Sequence, residues 1–147
     1  MFKHILIPTD GSDLSKKAAR AGVQFAKSMN ARVTGFHSYA SFQKYTITGY
    51  DAPDAEAVKR FDEKMREAGE IYLSEIEKEA KAAGVDYTGA VQKADAPYLG
   101  IIEAAKKRGC DAVFMASHGR KGIAALLVGS ETQKVLTHSK IPVVVFR

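Results

Sequence analysis

With a single cysteine, Cys110, the chain of 147 residues cannot close an internal disulfide and must hold its fold by packing alone. That length suffices, because a domain of this size buries roughly two thirds of the surface its unfolded chain exposes. No apolar run approaches the roughly 20 residues needed to span a bilayer. The N-terminal run, Ile5 to Ile7, stops at Pro8 and Asp10, too soon for a signal-peptide core. These absences predict a soluble protein of a reducing, cytoplasmic compartment with no membrane attachment. Sequence repeats, low-complexity tracts and linkers are also missing, so residues 1–147 are expected to form one domain.

Catalytic signatures are equally scarce. There is no G-x-x-x-x-G-K-[ST] run, which excludes a P-loop ATPase, and no G-x-S-x-G elbow to present a serine. His4, His37, His118 and His138 lack the close spacing of a metal site, so structural or solvent-facing roles are expected for them. His118 alone sits in a candidate loop, where it either braces the loop or touches a ligand. The net charge of +5 would suit nucleic acid, yet the basic residues alternate with acids, above all between Lys59 and Lys81. That is the pattern of a solvated helix face, and no aromatic-rich basic platform accompanies it. Small anions, rather than RNA or DNA, are the expected use of the charge.

What the chain does contain is a regular alternation of strand and helix patterns. Residues 3–9 read as a short strand ending in Thr9-Asp10-Gly11-Ser12. A helix follows, capped by Ser12, with Leu14, Ala18, Ala21, Phe25 and Met29 on one face and Asn30 closing it. Asp10 either closes an ordinary Asx turn or, at a strand's carboxyl end, meets a ligand. Residues 32–39 form a second strand ending at Ser38-Tyr39, with Gly35 allowing close packing. The connection 40–53, with Phe42, Tyr45, Ile47 and Tyr50, is long for a structureless loop; a lid, packing on the next helix, and contact with a partner chain all fit it.

The longest helix is expected over 55–83, with Val58, Phe61, Met65, Ala68, Tyr72 and Ile76 on its core face and Gly84 ending it. Residues 85–92 make a third strand. Asp95 then caps a helix with Pro97 in its first turn, a core face of Leu99, Ile102 and Ala105, and Gly109 at its end; Cys110 is a small apolar residue at that corner. A fourth strand covers 111–116, a short helix Glu131 to Thr137, and a last strand Ile141 to Phe146. This βα repetition implies an α/β fold, a doubly wound parallel sheet of five strands with helices on both faces, and the order 3-2-1-4-5 is expected for it.

The organising stretch is Val113 to Thr132, VFMASHGRKGIAALLVGSET, in which a strand opens into a loop holding Gly119, Gly122 and Gly129 before the helix at Ser130. Glycines let backbone N–H groups turn inward as an anion-binding nest, and a helix N-terminus adds its dipole. A phosphate cradle is one reading. The other is a plain S-x-x-Q capping box of Ser130 and Gln133, with the glycines as turn residues.

From ILIPTDGS at the start to IPVVVF at the end, the chain resembles the universal stress protein family. Nucleotide-binding members carry Gly, two residues, Gly, nine residues, then Gly-Ser or Gly-Thr. This chain has Ala116, Ser117-His118, Gly119, nine residues from Arg120 to Val128, and Gly129-Ser130. Spacing and ending are kept, but the first glycine is alanine, harmless if Ala116 holds a negative φ. The resemblance implies ATP, with Mg2+, as ligand. It places Asp10 near the ribose and any metal, the backbone of Ser38 at the adenine, and Met115 with Ala116 along the nucleoside. Gly119, Gly129, Ser130 and Glu131 would take the phosphates, chiefly through main-chain N–H groups, and Pro8, Thr9 and Thr132 complete the implied set.

The Glu131 carboxylate would repel a triphosphate unless it points away or reaches the Mg2+; Arg120 and Lys121 are placed to offset it. With no base or water-positioning residue in view, hydrolysis is expected to be slow at most. An adenylating, synthetase-like reading fails for want of that class's glycine and serine signature after the first strand. Two functions stay open: a nucleotide-binding regulator whose bound ATP alters an interaction with a protein partner, and an interaction dimer that works without nucleotide. The final strand, apolar without alternation and at the sheet's edge, predicts a homodimer through 141–146, as the resemblance also implies.

Overall fold

Short apolar strands separated by amphipathic helices bury both faces of a sheet. In a computed structural model of the chain, which describes residues 1–44, 54–120 and 128–147, the elements run as follows. The first half comprises β1 (His4–Pro8), α1 (Asp13–Ser28), β2 (Arg32–Tyr39), a single 3-10 turn at Phe42–Lys44, and α2 (Ala55–Ala83). The second comprises β3 (Tyr87–Lys93), α3 (Pro97–Arg108), β4 (Ala112–Ala116), α4 (Ser130–His138) and β5 (Val143–Phe146). All pairings between strands are parallel, in the expected order β3-β2-β1-β4-β5.

Alternate residues of the central strands divide the core. Ile5, Ile7, Val33 and Phe114 pack under α1 and α2 with Val23, Leu73 and Ile76. Leu6, Phe36, Val113 and Met115 pack under α3 and α4 with Ile101, Ala104 and Val135. The expected helix faces need rotation. In α1 the buried stripe is Ser15, Ala18, Ala19, Gly22, Val23 and Ala26. Small residues let the axis approach the strands, leaving Ala21, Phe25 and Met29 at the flank. In α2 only the second half is deeply buried, at Gly69, Leu73, Ile76 and Ala80. In α3 the buried residues are Gly100, Ile101, Ala104 and Ala105, while Leu99 is left 45% exposed.

Helix starts also differ from expectation. Ser12 does cap α1, accepting from the Ser15 N–H. Asp95 does not hold the N-cap position of α3, which falls on Ala96 with no side-chain cap bond and Pro97 next. Gly35 earns its place, since a Cβ there would lie 2.5 Å from the Tyr87 hydroxyl. Of the 40–53 connection, Phe42 rests edge-on against Phe61 of α2; Tyr45, Ile47 and Tyr50 lie outside the described residues. Among those described, no helix is long and apolar enough to cross a membrane.

Candidate functional site

The carboxyl ends of β1, β2 and β4 meet at the middle of the sheet, where strand order reverses and α/β folds leave a crevice. Pro8 ends β1, and Thr9 begins the loop with its N–H on the Phe36 carbonyl at 2.8 Å. The Thr9 hydroxyl is engaged locally, meeting Ser15 Oγ at 3.0 Å and accepting from the Gly11 N–H at 3.1 Å. Gly11 has φ +78, and the Tyr72 ring of α2 lies on the space a side chain would need. Only glycine meets both conditions.

Asp10 joins two loops. Its Oδ1 accepts from the Ser12 N–H at 2.9 Å, which is the Asx turn, and its Oδ2 accepts from the Arg120 N–H at 2.8 Å, 110 residues away. Burial pushes the Asp10 carboxyl up, but bonds from the Ser12 hydroxyl and N–H, the Arg120 N–H and Ser15 outweigh it and hold the carboxyl below its ordinary range. It is therefore ionised at neutral pH. Gly119 sits against the same oxygen, 2.5 Å from where its Cβ would stand. Arg120 is held again by Tyr72, its Nη2 donating to the phenol oxygen at 2.6 Å. The sequence pattern places Tyr72 on the core face of α2, and nothing in that pattern ties it to position 120.

At the end of β4, Met115 and Ala116 are buried, and Ala116 carries no positive φ, so the alanine at the first glycine position fits the strand. The Ala116 carbonyl accepts from Thr132 Oγ1 at 3.0 Å, which gives the Thr132 side chain a bracing role. Ser117 Oγ meets His118 Nδ1 at 2.8 Å, so His118 braces the loop as well. Gly129 has φ −70, an ordinary value, and the space around it is tight instead: a Cβ would lie 3.1 Å from the Ser117 carbonyl oxygen and 3.3 Å from His118 Cα. Its N–H is already bonded to that carbonyl at 2.6 Å.

The capping box of Ser130 and Gln133 does not form. Gly129 is the N-cap of α4, no side chain caps it, and Ser130 is the first helical residue. Among the described residues, the N–H groups of Ser130, Glu131 and Thr132 have no backbone or side-chain acceptor, and Gln133 is the first to bond back, to the Gly129 carbonyl. An uncapped first turn of this kind attracts an anion. The Glu131 carboxylate turns away from it: Oε2 accepts from the Tyr98 N–H of α3 at 3.0 Å and Oε1 from Lys134 at 3.1 Å. Glu131 thus serves the start of α3, which lacks a side-chain cap of its own. Ser38, half-buried near the end of β2, pairs in register with Gln92 of β3. Lys121 and Gly122 lie outside the described residues.

Among the described residues, no group of three or more His, Cys, Asp or Glu is arranged to hold a metal. Magnesium bound through nucleotide phosphates needs only one or two carboxylates, and Asp10 is the one at this junction. A cleft of about 500 Å³ between α1 and α2 reaches Thr9 and Tyr72 but lies beside the loop junction, lined by charges of both signs that include the Lys16–Glu75 and Arg20–Glu79 pairs.

His37 and His4 are buried rather than solvent-facing. His37 Nδ1 lies 2.8 Å from the Thr9 carbonyl, the ring meets Tyr72 edge-on, and burial lowers its pKa below the usual 6.5. Burial likewise lowers that of His4. The unfolded chain takes up protons at both rings near 6.5 while the fold still excludes them, so stability is retained above that pH and falls as pH drops below it. Urea melts between pH 8 and 5 should show this decline, and His37→Gln should flatten it; equal midpoints across the range would contradict it.

The Universal stress protein family model matches residues 1–147. A universal stress protein of Methanocaldococcus jannaschii is 29% identical over 147 residues, covering 100% of this chain and 83% of the relative. The solved structure of a second universal stress protein of that organism superposes with a TM-score of 0.83 at 26% identity, covering 99% of this chain and 95% of that one. A universal stress protein solved in complex with cAMP superposes with a TM-score of 0.69 at 24% identity over 99% and 97% of the two chains. Sheet order, helix placement and match over the full length agree, and the chain belongs to the universal stress protein family.

Proposed function

We propose that the chain binds an adenine nucleotide, ATP with Mg2+, where the loops after β1, β2 and β4 meet. In this reading it acts in the cytoplasm as a stress-response regulator whose nucleotide state alters contact with a protein partner. The observation that carries the reading is the uncapped first turn of α4, whose N-cap Gly129 packs on Ser117 and His118, the residues that lead into Gly119 at the Asp10 carboxylate. The phosphates lie against Gly119, Ser130 and Glu131 main-chain groups, with Arg120 beside them. Pro8, Thr9, Met115, Ala116, Gly129 and Thr132 shape the walls, and the Ser38 backbone faces the base. The cAMP complex of a family neighbour supports a nucleotide in this fold. Among the described residues no group is positioned to activate water, and turnover is expected to stay well below the roughly 10 per second typical of enzymes.

One observation favours the alternative, an interaction dimer that needs no nucleotide: the N–H groups of Arg120 and Gly129 are already bonded internally, to Asp10 and Ser117. Isothermal titration decides between them. Protein stripped of copurified ligand should release heat with ATP and Mg2+, and silence toward ATP, ADP and AMP up to millimolar concentrations would remove the nucleotide reading. In either case the protein is a homodimer joined through β5, an edge strand whose four apolar residues are each only half-buried.

A further inference from the structure

The opposite end of the sheet, where β1, β2 and β3 begin, carries a second cleft that the nucleotide reading does not use. It has a volume of about 270 Å³, just under the roughly 300 Å³ at which pockets begin to enclose drug-sized ligands. His4, Arg32, Thr34, Asp86, Thr88 and Arg108 line it. The first residues of three strands, Asp86 just before β3 and the last turn of α3 supply these side chains, which are far apart in sequence.

We propose that this cleft is a binding site for a small phosphate-like oxyanion, held by the Arg32 and Arg108 guanidiniums over a floor of hydroxyl and imidazole groups. Neither guanidinium forms an ion pair within 4 Å among the described residues, so their donors are available. The nearby acid Asp111 forms no ion pair with either: its carboxylate accepts from the Lys3 N–H at 2.8 Å and the His4 N–H at 3.1 Å. Asp86 on the lining is the acid an oxyanion must avoid, and it likewise makes no ion pair. Planar guanidinium forks match the paired oxygens of a phosphate, and two forks on separate elements can take different edges of one ion.

The floor is a chain of side chains crossing three strands. His4 Nε2 meets Thr34 Oγ1 at 2.7 Å, and Thr34 Oγ1 meets the exposed Thr88 Oγ1 at 3.0 Å. His4 is 6% exposed, and its Nδ1 is buried without a partner in hydrogen-bond geometry, although the Arg108 backbone favours its proton from nearby. Burial, Arg32 and Arg108 all oppose a charge on this ring, while Asp111 favours one. A bound dianion reverses part of the field from the two arginines, so it raises the His4 pKa. This gives a readout that belongs to this end of the sheet.

The test follows the ring resonances of His4 and His37 by NMR in the full chain, titrated with inorganic phosphate, with glycerol 3-phosphate as the esterified form, and with chloride at matched ionic strength. Phosphate is expected to shift His4 and raise its titration midpoint at millimolar concentration while chloride does not. Arg32→Gln with Arg108→Gln should weaken the effect at least tenfold, and Arg108→Lys alone should weaken it partly. Both arginines are exposed, so the fold does not depend on them. A response to free phosphate alone assigns the site to the inorganic ion, and a response to both assigns it to phosphate groups generally. If His4 does not move, or moves equally in chloride or in the double variant, the proposal is wrong. ATP titration of the double variant should match the unaltered chain, so this outcome is independent of the nucleotide reading.

Discussion

Gly129→Val is expected to weaken adenine-nucleotide binding at least about a hundredfold, a loss of about 2.7 kcal/mol. The cause is crowding. With φ at −70, valine meets no conformational penalty at this position. Its Cβ, however, would stand 3.1 Å from the Ser117 carbonyl oxygen and 3.3 Å from His118 Cα, both of them backbone. The two γ-methyl groups must then go outward into the space at the head of α4, or the helix must retreat and break the 2.6 Å bond from the Gly129 N–H to Ser117. Either outcome removes the anion position. Gly129→Ala should lose far less, because one methyl needs only a few tenths of an ångström of give. Titration calorimetry alongside thermal melts checks this: if the valine variant is folded and binds ATP with unaltered affinity, the phosphates do not lie at α4.

Proline in β5 should have opposite effects at adjacent positions. The Pro142 and Phe146 carbonyls accept from the Val113 and Ser117 N–H groups of β4 and its loop. Because N–H and C=O groups alternate sides along a strand, those of Val144 also face β4, and those of Val143 and Val145 face the open edge. Val144→Pro therefore removes a bond within the subunit and should cost about 3 kcal/mol or more, a large share of the roughly 5–15 kcal/mol that holds a typical domain together. Val145→Pro removes only an edge donor, which a folded monomer tolerates but a β5–β5 dimer does not. Light scattering at tens of micromolar, an order-of-magnitude choice suited to an interface of standard size, should give a dimer for the unaltered chain and a folded monomer for Val145→Pro. A monomeric unaltered chain, or a Val145→Pro variant that stays dimeric, would rule out this interface.

The sequence by itself determined the fold class. Apolar runs of four to eight residues alternating with amphipathic helices admit few arrangements other than a parallel sheet covered on both faces, while the order 3-2-1-4-5, one of two common for such sheets, was decided by the strand pairings. It also determined the family, through the spacing from Ala116 to Ser130. Helix rotation was less legible. Small residues such as Ala19, Gly22 and Gly100 face the sheet because they allow close approach, whereas a hydrophobic count favours Phe25 and Leu99. Tertiary structure alone decided which polar groups remain available for a ligand. The Glu131 carboxylate, an obstacle to phosphate by sequence alone, serves the start of α3, and Gly129, not Ser130, holds the N-cap of α4. Asp10 and Arg120 are 110 residues apart, and only the closing of β1 against β4 brings that carboxylate to that N–H. Local pattern reports periodicity along the chain; hydrogen-bond partners across a sheet depend on register and crossover, which no short stretch of residues contains.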